Sequence, residues 1–156
     1  MSRNGLNLLA IAAIVVVGIG YAVFGQARAA SPRDRQAAAA AVTWLQAAAR
    51  GDTGAMCTAE APPATYAGTV RTERGVLRGT WAEVCPQTYD TAQLTRDAPD
   101  YGRALKTQPT STVPWAGGQI RVNYAAQGLA LHAVQTPSGW KVVSTGHVGL
   151  PTATAG

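Results

Sequence analysis

The chain has 156 residues, of which 13% are charged, and its formal net charge is +5. Two positive charges, Arg3 and Arg28, flank an apolar segment, and Arg71, Arg74 and Arg78 form the only local basic cluster. A nucleic-acid-binding domain usually has a dense basic stripe interleaved with aromatic residues. The composition therefore argues against nucleic acid as a partner and favours one small domain beside a membrane surface.

An uncharged segment near the N-terminus predicts a membrane anchor. Residues 5–27 contain no charged side chain, and aromatic residues stand near the C-terminal end, where they favour the lipid–water interface. As a helix with a rise of about 1.5 Å per residue, Gly5–Gly25 would span about 31 Å, close to the ~30 Å hydrocarbon core. We therefore predict a transmembrane signal-anchor helix at 5–27, preceded by a cytoplasmic tail at 1–4 and followed by a linker at 28–32.

The same segment has a second interpretation, a cleaved signal peptide. Ala27-Arg28-Ala29 has the small-x-small form of a cleavage site, but the apolar run exceeds the usual ~7–15 residues. We therefore favour a retained anchor and keep secretion after cleavage near Ala29 as the alternative. The N-terminal tail is short and the C-terminal part is domain-sized. Because long domains translocate largely regardless of charge, we predict a single-pass cell-membrane protein with its N-terminus cytoplasmic and its domain outside.

The first part of the domain is predicted to be helical. Ser31 can cap a helix that runs through the alanine-rich stretch to Arg50 and ends at Gly51. Asp52 can cap a short second helix. Thr80–Glu83 has the form of a capping box and predicts the start of another helix.

Two stretches between these elements have no clear period. Residues 66–79 hold apolar side chains and three glycines without helical or strand spacing, so their structure is left open. Residues 90–108 are polar, and we predict an irregular segment with at most a helical turn at Tyr101–Lys106.

Alternating apolar and polar residues predict strands in the last part of the chain. The predicted strands are 120–124, 129–133 and 140–144, with an edge strand at 110–115, where a proline is tolerable. The tail at 149–156 has no apolar pattern. Helices followed by strands predict an α+β fold with helices on one face of a curved antiparallel sheet.

The chain has two cysteines, Cys57 and Cys85, on two consecutive predicted helices. An even number of cysteines in an oxidising compartment predicts a disulfide. Two other interpretations stay open. A metal site would need more ligands, and only His132 and His147 could add them, at no recognisable spacing. A Cys–His nucleophile is formally available, but the chain is poor in acidic residues to support it.

Several of these features occur together in one protein family. The first helix ends in Gly51-Asp52, Met56-Cys57 follows, the second cysteine closes the helical half, and a late strand reads Gly139–Val142. In this order they resemble the NTF2-like, or cystatin-like, domains of actinobacterial envelope proteins. The resemblance covers residues 33–148 and implies an α+β cone held outside the membrane by a single N-terminal helix. Residues 61–79 depart from it, because the apolar helix usual in the family is not evident there.

We find no motif for catalysis or for a cofactor. Asp34, Asp52 and Glu83 are assigned to helix caps, and His132 alternates with strand residues that are expected to point inward. The sequence contains no phosphate-binding glycine loop, no nucleophile elbow and no metal motif. We therefore predict a protein that is not an enzyme and that uses no cofactor or metal.

Two functions remain, from different classes. We favour a non-catalytic interaction or assembly module of a cell-envelope or secretion/conjugation-type complex, with the lipid bilayer and a protein as partners. The alternative is a binder of a small apolar ligand, or less favourably a pocket enzyme, with Trp44, Trp81, Tyr124 and Trp140 as pocket-lining residues. A cavity of about several hundred Å³ with convergent polar groups would favour the ligand, whereas a filled interior would favour the module.

Overall fold

The structure, a computed structural model, describes residues 30–64, 66–72 and 75–143. The helices in this part of the chain are α1 (Pro32–Ala49), α2 (Thr53–Ala59), α3 (Trp81–Val84) and α4 (Thr91–Leu105), with short 3-10 turns at Cys85–Thr88, Ala116–Gly118 and Ala125–Gln127. The strands are β1 (Glu60–Ala61), β2 (Thr69–Thr72), β3 (Gly75–Arg78), β4 (Ser111–Pro114), β5 (Ile120–Tyr124), β6 (Leu129–Thr136) and β7 (Gly139–Val143).

The predicted anchor at 5–27 lies outside the described residues, as do the tails at 1–4 and 149–156. Among the residues whose structure is given, no helix combines the length and the apolar character that a membrane crossing requires. The transmembrane helix and the cleavage near Ala29 both stay predictions.

Helix α1 is the central helix of the domain. Its buried face repeats at the spacing of helical turns and consists of Ala37, Ala41, Leu45 and Ala48, with Trp44 beside it. This face packs against β5, β6 and β7 and against α4. The helix ends at Ala49, and the turn that follows contains the predicted stop, Gly51, whose positive φ of 68° suits a residue without a Cβ. The alanine-rich stretch therefore forms a smooth surface on which the sheet can lie close.

The predicted caps at Asp52 and at Thr80–Glu83 are confirmed. The Asp52 carboxylate accepts a hydrogen bond from the backbone N–H of Ala55 at 2.9 Å and so begins α2. At the start of α3, the Glu83 carboxylate accepts hydrogen bonds from the backbone N–H and the hydroxyl of Thr80, at 2.8 and 2.9 Å. These two bonds lower the pKa of Glu83, with the backbone bond as the larger cause.

The prediction for residues 90–108 was wrong, because most of this segment is helix α4. The Asp90 carboxylate begins the helix by accepting hydrogen bonds from two backbone N–H groups, those of Ala92 and Gln93. Leu94 and Ala104 are buried against the rest of the domain. Pro99 inside the helix removes one backbone donor, yet the helix continues to Leu105.

The main sheet has five strands in the order β1-β7-β6-β5-β4. The strand pairs from β7 to β4 are antiparallel, and the alternation of β5 buries Ile120, Val122 and Tyr124 as the sequence predicted. Strand β4 lies at one edge, also as predicted, and contains Pro114. The helices and this mostly antiparallel sheet confirm the α+β class.

The other edge of the sheet was not foreseen from the sequence. The two-residue strand β1 follows α2 directly and pairs in parallel with β7, so that Glu60 lies beside Val142. Residue 142 is also the partner of Ala133, whose side chain is buried in the core. Because residues at paired positions share a face, the side chain of Glu60 is on the core face of the sheet.

Residues 66–79, left open by the sequence, contain the separate antiparallel pair β2–β3. The phenol of Tyr66 donates a hydrogen bond to the carbonyl oxygen of Gly79 at 2.5 Å. Its ring meets the ring of Trp81 edge to face, with centroids 5.1 Å apart. Trp81 therefore packs against Tyr66, which precedes β2, and is not part of the buried core cluster on the main sheet.

Candidate functional site

The predicted disulfide between Cys57 and Cys85 is confirmed. It joins the buried face of α2 to the 3-10 turn that follows α3, with the two Cα atoms 5.9 Å apart. Both cysteines are buried. The bond thus ties the short helices to one another at the end of α2, directly before the strand that carries Glu60.

Glu60 is a buried acid, with only 4% of its surface exposed. The indole N–H of Trp44 donates a hydrogen bond to its Oε1 at 2.7 Å, and the hydroxyl of Tyr89 donates to the same oxygen. A buried carboxyl group is tolerated only when hydrogen bonds replace the water it has lost. The three side chains therefore form one polar cluster, which we call the Glu60 cluster.

The hydroxyl of Tyr89 remains protonated within this cluster. Burial raises the pKa of Tyr89, and the neighbouring Glu60 carboxyl raises it further. Both causes disfavour the charged phenolate. Tyr89 is therefore held as a hydrogen-bond donor to Glu60 and is a poor candidate for a general base.

The disulfide is the third neighbour of Glu60. Sγ of Cys85 lies 3.6 Å from Oε2 of Glu60, and the ligand atoms of Cys57, Glu60 and Cys85 all lie within 4.8 Å of one another. A disulfide sulfur carries no proton to donate and no thiolate charge to offer a metal ion. This group is therefore not a metal centre in the oxidised protein, and the sulfur contact adds no hydrogen bond to the cluster.

A cavity of about 130 Å³ opens beside the Glu60 cluster. Its aromatic lining residues are Trp44, Tyr89 and Tyr101, and its polar ones are Glu60, Asp90, Gln93 and Asp97. Its aliphatic lining residues are Met56, Leu94, Leu129, Leu131, Val142 and Val143. The deeper lining is buried core, whereas Asp90 and Gln93 at the start of α4 are exposed and mark the mouth.

The cavity is acidic, although the chain as a whole is basic. Glu60, Asp90 and Asp97 are three of only eight acidic residues in the sequence. No lysine or arginine is among the described residues that line it. Burial raises the pKa of Tyr101, and the negative charges of Asp97 and Asp100 raise it further. The local field therefore favours a positive charge in this cavity.

Two of the four predicted pocket residues border an open space. Trp44 lines the cavity beside Glu60. Trp140 borders a shallow groove between α1, α2 and β7, its indole N–H donates to Oε1 of Gln36 at 3.1 Å, and the Arg33 guanidinium lies 5.6 Å from its ring centroid. Trp81 packs against Tyr66, and Tyr124 is enclosed in the core. The structure therefore does not bring the four residues together around one pocket.

The hydroxyl of Tyr124 yields a prediction about stability. This oxygen is buried and has no hydrogen-bond partner among the residues that the structure describes. A buried polar group without a partner costs about 1–3 kcal/mol. We expect Tyr124→Phe to raise the free energy of unfolding by about 1 kcal/mol in urea titration. The matched control Tyr101→Phe, at a half-buried position, should give no such gain, and a loss of stability in Tyr124→Phe would contradict the assignment.

His132 is separated from the Glu60 cluster by the sheet. It alternates in β6 with Leu131 and Ala133, which face the core, so it lies on the opposite face from Glu60. Its Nδ1 is 3.2 Å from Oε1 of Gln119, and burial followed by the charge of Arg121 lowers its pKa. The other histidine, His147, lies outside the described residues. A Cys–His nucleophile is therefore not assembled in the described part of the chain.

Sequence reasoning missed the residues that define this site. Glu60, Tyr89, Asp97 and Tyr101 were not among the candidates, although all four line the cavity. One signal was present, since Glu60 stands three positions after Cys57 on a segment that the disulfide makes part of the core. No known protein family, no curated protein and no solved structure matches this chain.

Proposed function

We propose that this protein is a non-catalytic interaction module of the cell envelope, and that the mouth of the cavity is the surface that meets its partner. In this proposal the helix at 5–27 anchors the chain with its N-terminus inside, and the domain has the NTF2-like cone. Cleavage near Ala29 would release the same domain as a secreted form.

The observation that carries the proposal is the size of the cavity. Pockets for whole small molecules usually measure about 300–1,000 Å³, and this one measures about 130 Å³. The groove beside Trp140 measures about 370 Å³, but it is more open to solvent and has no carboxyl group among its described lining residues. Ile120, Val122 and Tyr124 are almost completely buried and fill the sheet side of the interior. A space of this size suits one side chain that projects from a larger partner.

The chemistry of the lining supports binding over catalysis. An acid or base in an enzyme must reach a substrate with its proton or lone pair. Oε1 of Glu60 instead receives hydrogen bonds from Trp44 and Tyr89, which fix it within the domain. The two sulfur atoms are bonded to each other and offer no nucleophile.

Site-specific photo-crosslinking in intact cells tests this proposal. A photoreactive benzoyl-phenylalanine replaces Gln93, which is exposed at the mouth of the cavity, in the full chain. The matched control carries the same residue at Ser138, which is exposed in the turn between β6 and β7. We expect a discrete protein adduct from position 93 and none from position 138. No adduct at 93, or the same adducts from both positions, would contradict the proposal.

A further inference from the structure

The walls of the cavity contain three aromatic rings. The rings of Trp44 and Tyr101 meet edge to face, with centroids 5.6 Å apart, and Tyr89 joins them through the Glu60 cluster. A cation within about 6 Å of an aromatic ring is attracted to its face, most strongly for tryptophan and where water is excluded. This part of the lining is therefore suited to a positively charged group.

Carboxyl groups stand at every depth of the same cavity. Glu60 is buried at the floor, Asp97 is half-buried on the wall and Asp90 is exposed at the mouth. Helix α4 also carries Arg96 and Arg103, of which Arg103 forms an ion pair with Asp100, and neither arginine lines the cavity. An incoming positive charge would thus meet negative charge from the mouth inwards.

The aliphatic part of the lining suits the stem of a basic side chain. Met56, Leu131 and Val142 lie among the lining residues and are almost completely buried. Lysine and arginine commonly bury their methylene stems on such surfaces while the charged end finds polar partners. The cavity thus combines apolar, aromatic and acidic groups within the space of about one side chain.

We infer that the cavity receives one basic side chain, a lysine ammonium or an arginine guanidinium, from the protein partner. The inference rests on the interaction-module function proposed above and specifies the chemistry of the contact. The aromatic rings and the carboxylates would bind the charge, and the aliphatic residues of the lining would contact the stem. A neutral or acidic side chain of similar length would lose the attraction from both the rings and the carboxylates.

The test uses three blocked tripeptides, acetyl-Gly-Xaa-Gly-amide, in which Xaa is lysine, norleucine or glutamate. Norleucine has the length of the lysine stem without the ammonium group. The readout is the indole N–H signal of Trp44 in ¹⁵N-tryptophan-labelled full chain in maltoside micelles, assigned with Trp44→Phe. Because this N–H donates to Glu60, it reports directly on the cavity. We expect a saturable shift at about millimolar lysine peptide, and no saturable shift with the other two.

A pair of charge variants makes the test specific. Asp97→Asn removes a carboxylate from the wall and is expected to weaken binding of the lysine peptide about fivefold. Asp52→Asn removes the same charge from a residue that does not line the cavity, and asparagine caps a helix as well as aspartate does. This control should bind like the unchanged protein. Equal effects of both variants would overturn the role given to Asp97.

Other outcomes separate this inference from the function on which it rests. Equal binding of the lysine and norleucine peptides would show that the cavity does not select a positive charge. Crosslinking from position 93 would in that case still support the interaction-module function. A shift of the Trp44 indole signal with phosphatidylcholine vesicles, but not with the lysine peptide, would overturn the inference and indicate that the cavity binds a lipid headgroup. If no crosslink forms at position 93 but the lysine peptide binds, the interaction-module function would be overturned, and the cavity would still be one that binds cations.

Discussion

Replacing both cysteines with alanine is expected to lower the free energy of unfolding by about 3–4 kcal/mol. Cys57 and Cys85 are 28 positions apart, and opening a loop of this length restores chain entropy to the unfolded state. For a single small domain this is a large share of the usual total of about 5–15 kcal/mol. Alanine is the suitable replacement, because both positions are buried and a serine hydroxyl would need a new partner. Urea denaturation of the full chain followed by tryptophan fluorescence measures the change.

A reducing agent supplies the matched control for this prediction. A phosphine reductant in excess should destabilise the unchanged protein by about the same 3–4 kcal/mol, and should have no effect on the Cys57→Ala/Cys85→Ala double variant. Thiol titration without reductant should find no free thiol in the unfolded protein. Equal stability of the oxidised protein and the double variant would show that the bond does not hold the domain together.

Replacing Glu60 with leucine is expected to cost about 2–6 kcal/mol of stability. Leucine would leave the indole N–H of Trp44 and the hydroxyl of Tyr89 without their acceptor, and each buried donor left alone costs about 1–3 kcal/mol. Glu60→Gln keeps one acceptor oxygen and should cost only about 1 kcal/mol. The same urea titration measures both variants.

A double variant distinguishes loss of the hydrogen bonds from poor packing of leucine. Tyr89→Phe removes one of the two orphaned donors. In combination with Glu60→Leu it should therefore be less destabilising, by at least about 1 kcal/mol, than the sum of the two single changes. Strictly additive costs would contradict the Glu60 cluster as a unit, and a fully stable Glu60→Leu variant would do so too.

The elements that the sequence predicted well depend on nearby residues. A cap requires only a side chain and the backbone of the next turn, as at Asp52 and at Thr80 with Glu83. Strand β5 was evident because Ile120 and Val122 alternate with polar neighbours over a few positions. The disulfide followed from the number of cysteines and the inferred compartment, which are properties of the whole chain.

Helix α4 was missed because its stabilising contacts are not local. Only Leu94 and Ala104 are buried in it, and Pro99 normally argues against a helix. What holds it is packing along α1, visible in the edge-to-face contact of Tyr101 with Trp44. Propensity over a short window does not contain that contribution.

The candidate site was missed for a related reason. An isolated glutamate after a short helix reads as a solvated charge, and Glu60 becomes a core residue only through the parallel pairing of β1 with β7. Its donors come from α1 and from the segment before α4, which are distant in the sequence. Trp44 alone was foreseen, because a tryptophan on the apolar face of a helix is a candidate on local grounds.

The two edges of the main sheet have a consequence for how copies of this protein behave when crowded together. An exposed edge strand is a template on which another chain can add a strand and start a fibril. One edge is β1, which is only two residues long, and the other is β4, in which Pro114 offers no N–H for pairing. Neither strand presents the long run of regular donors and acceptors that stacking needs. The main sheet thus resists edge-to-edge aggregation.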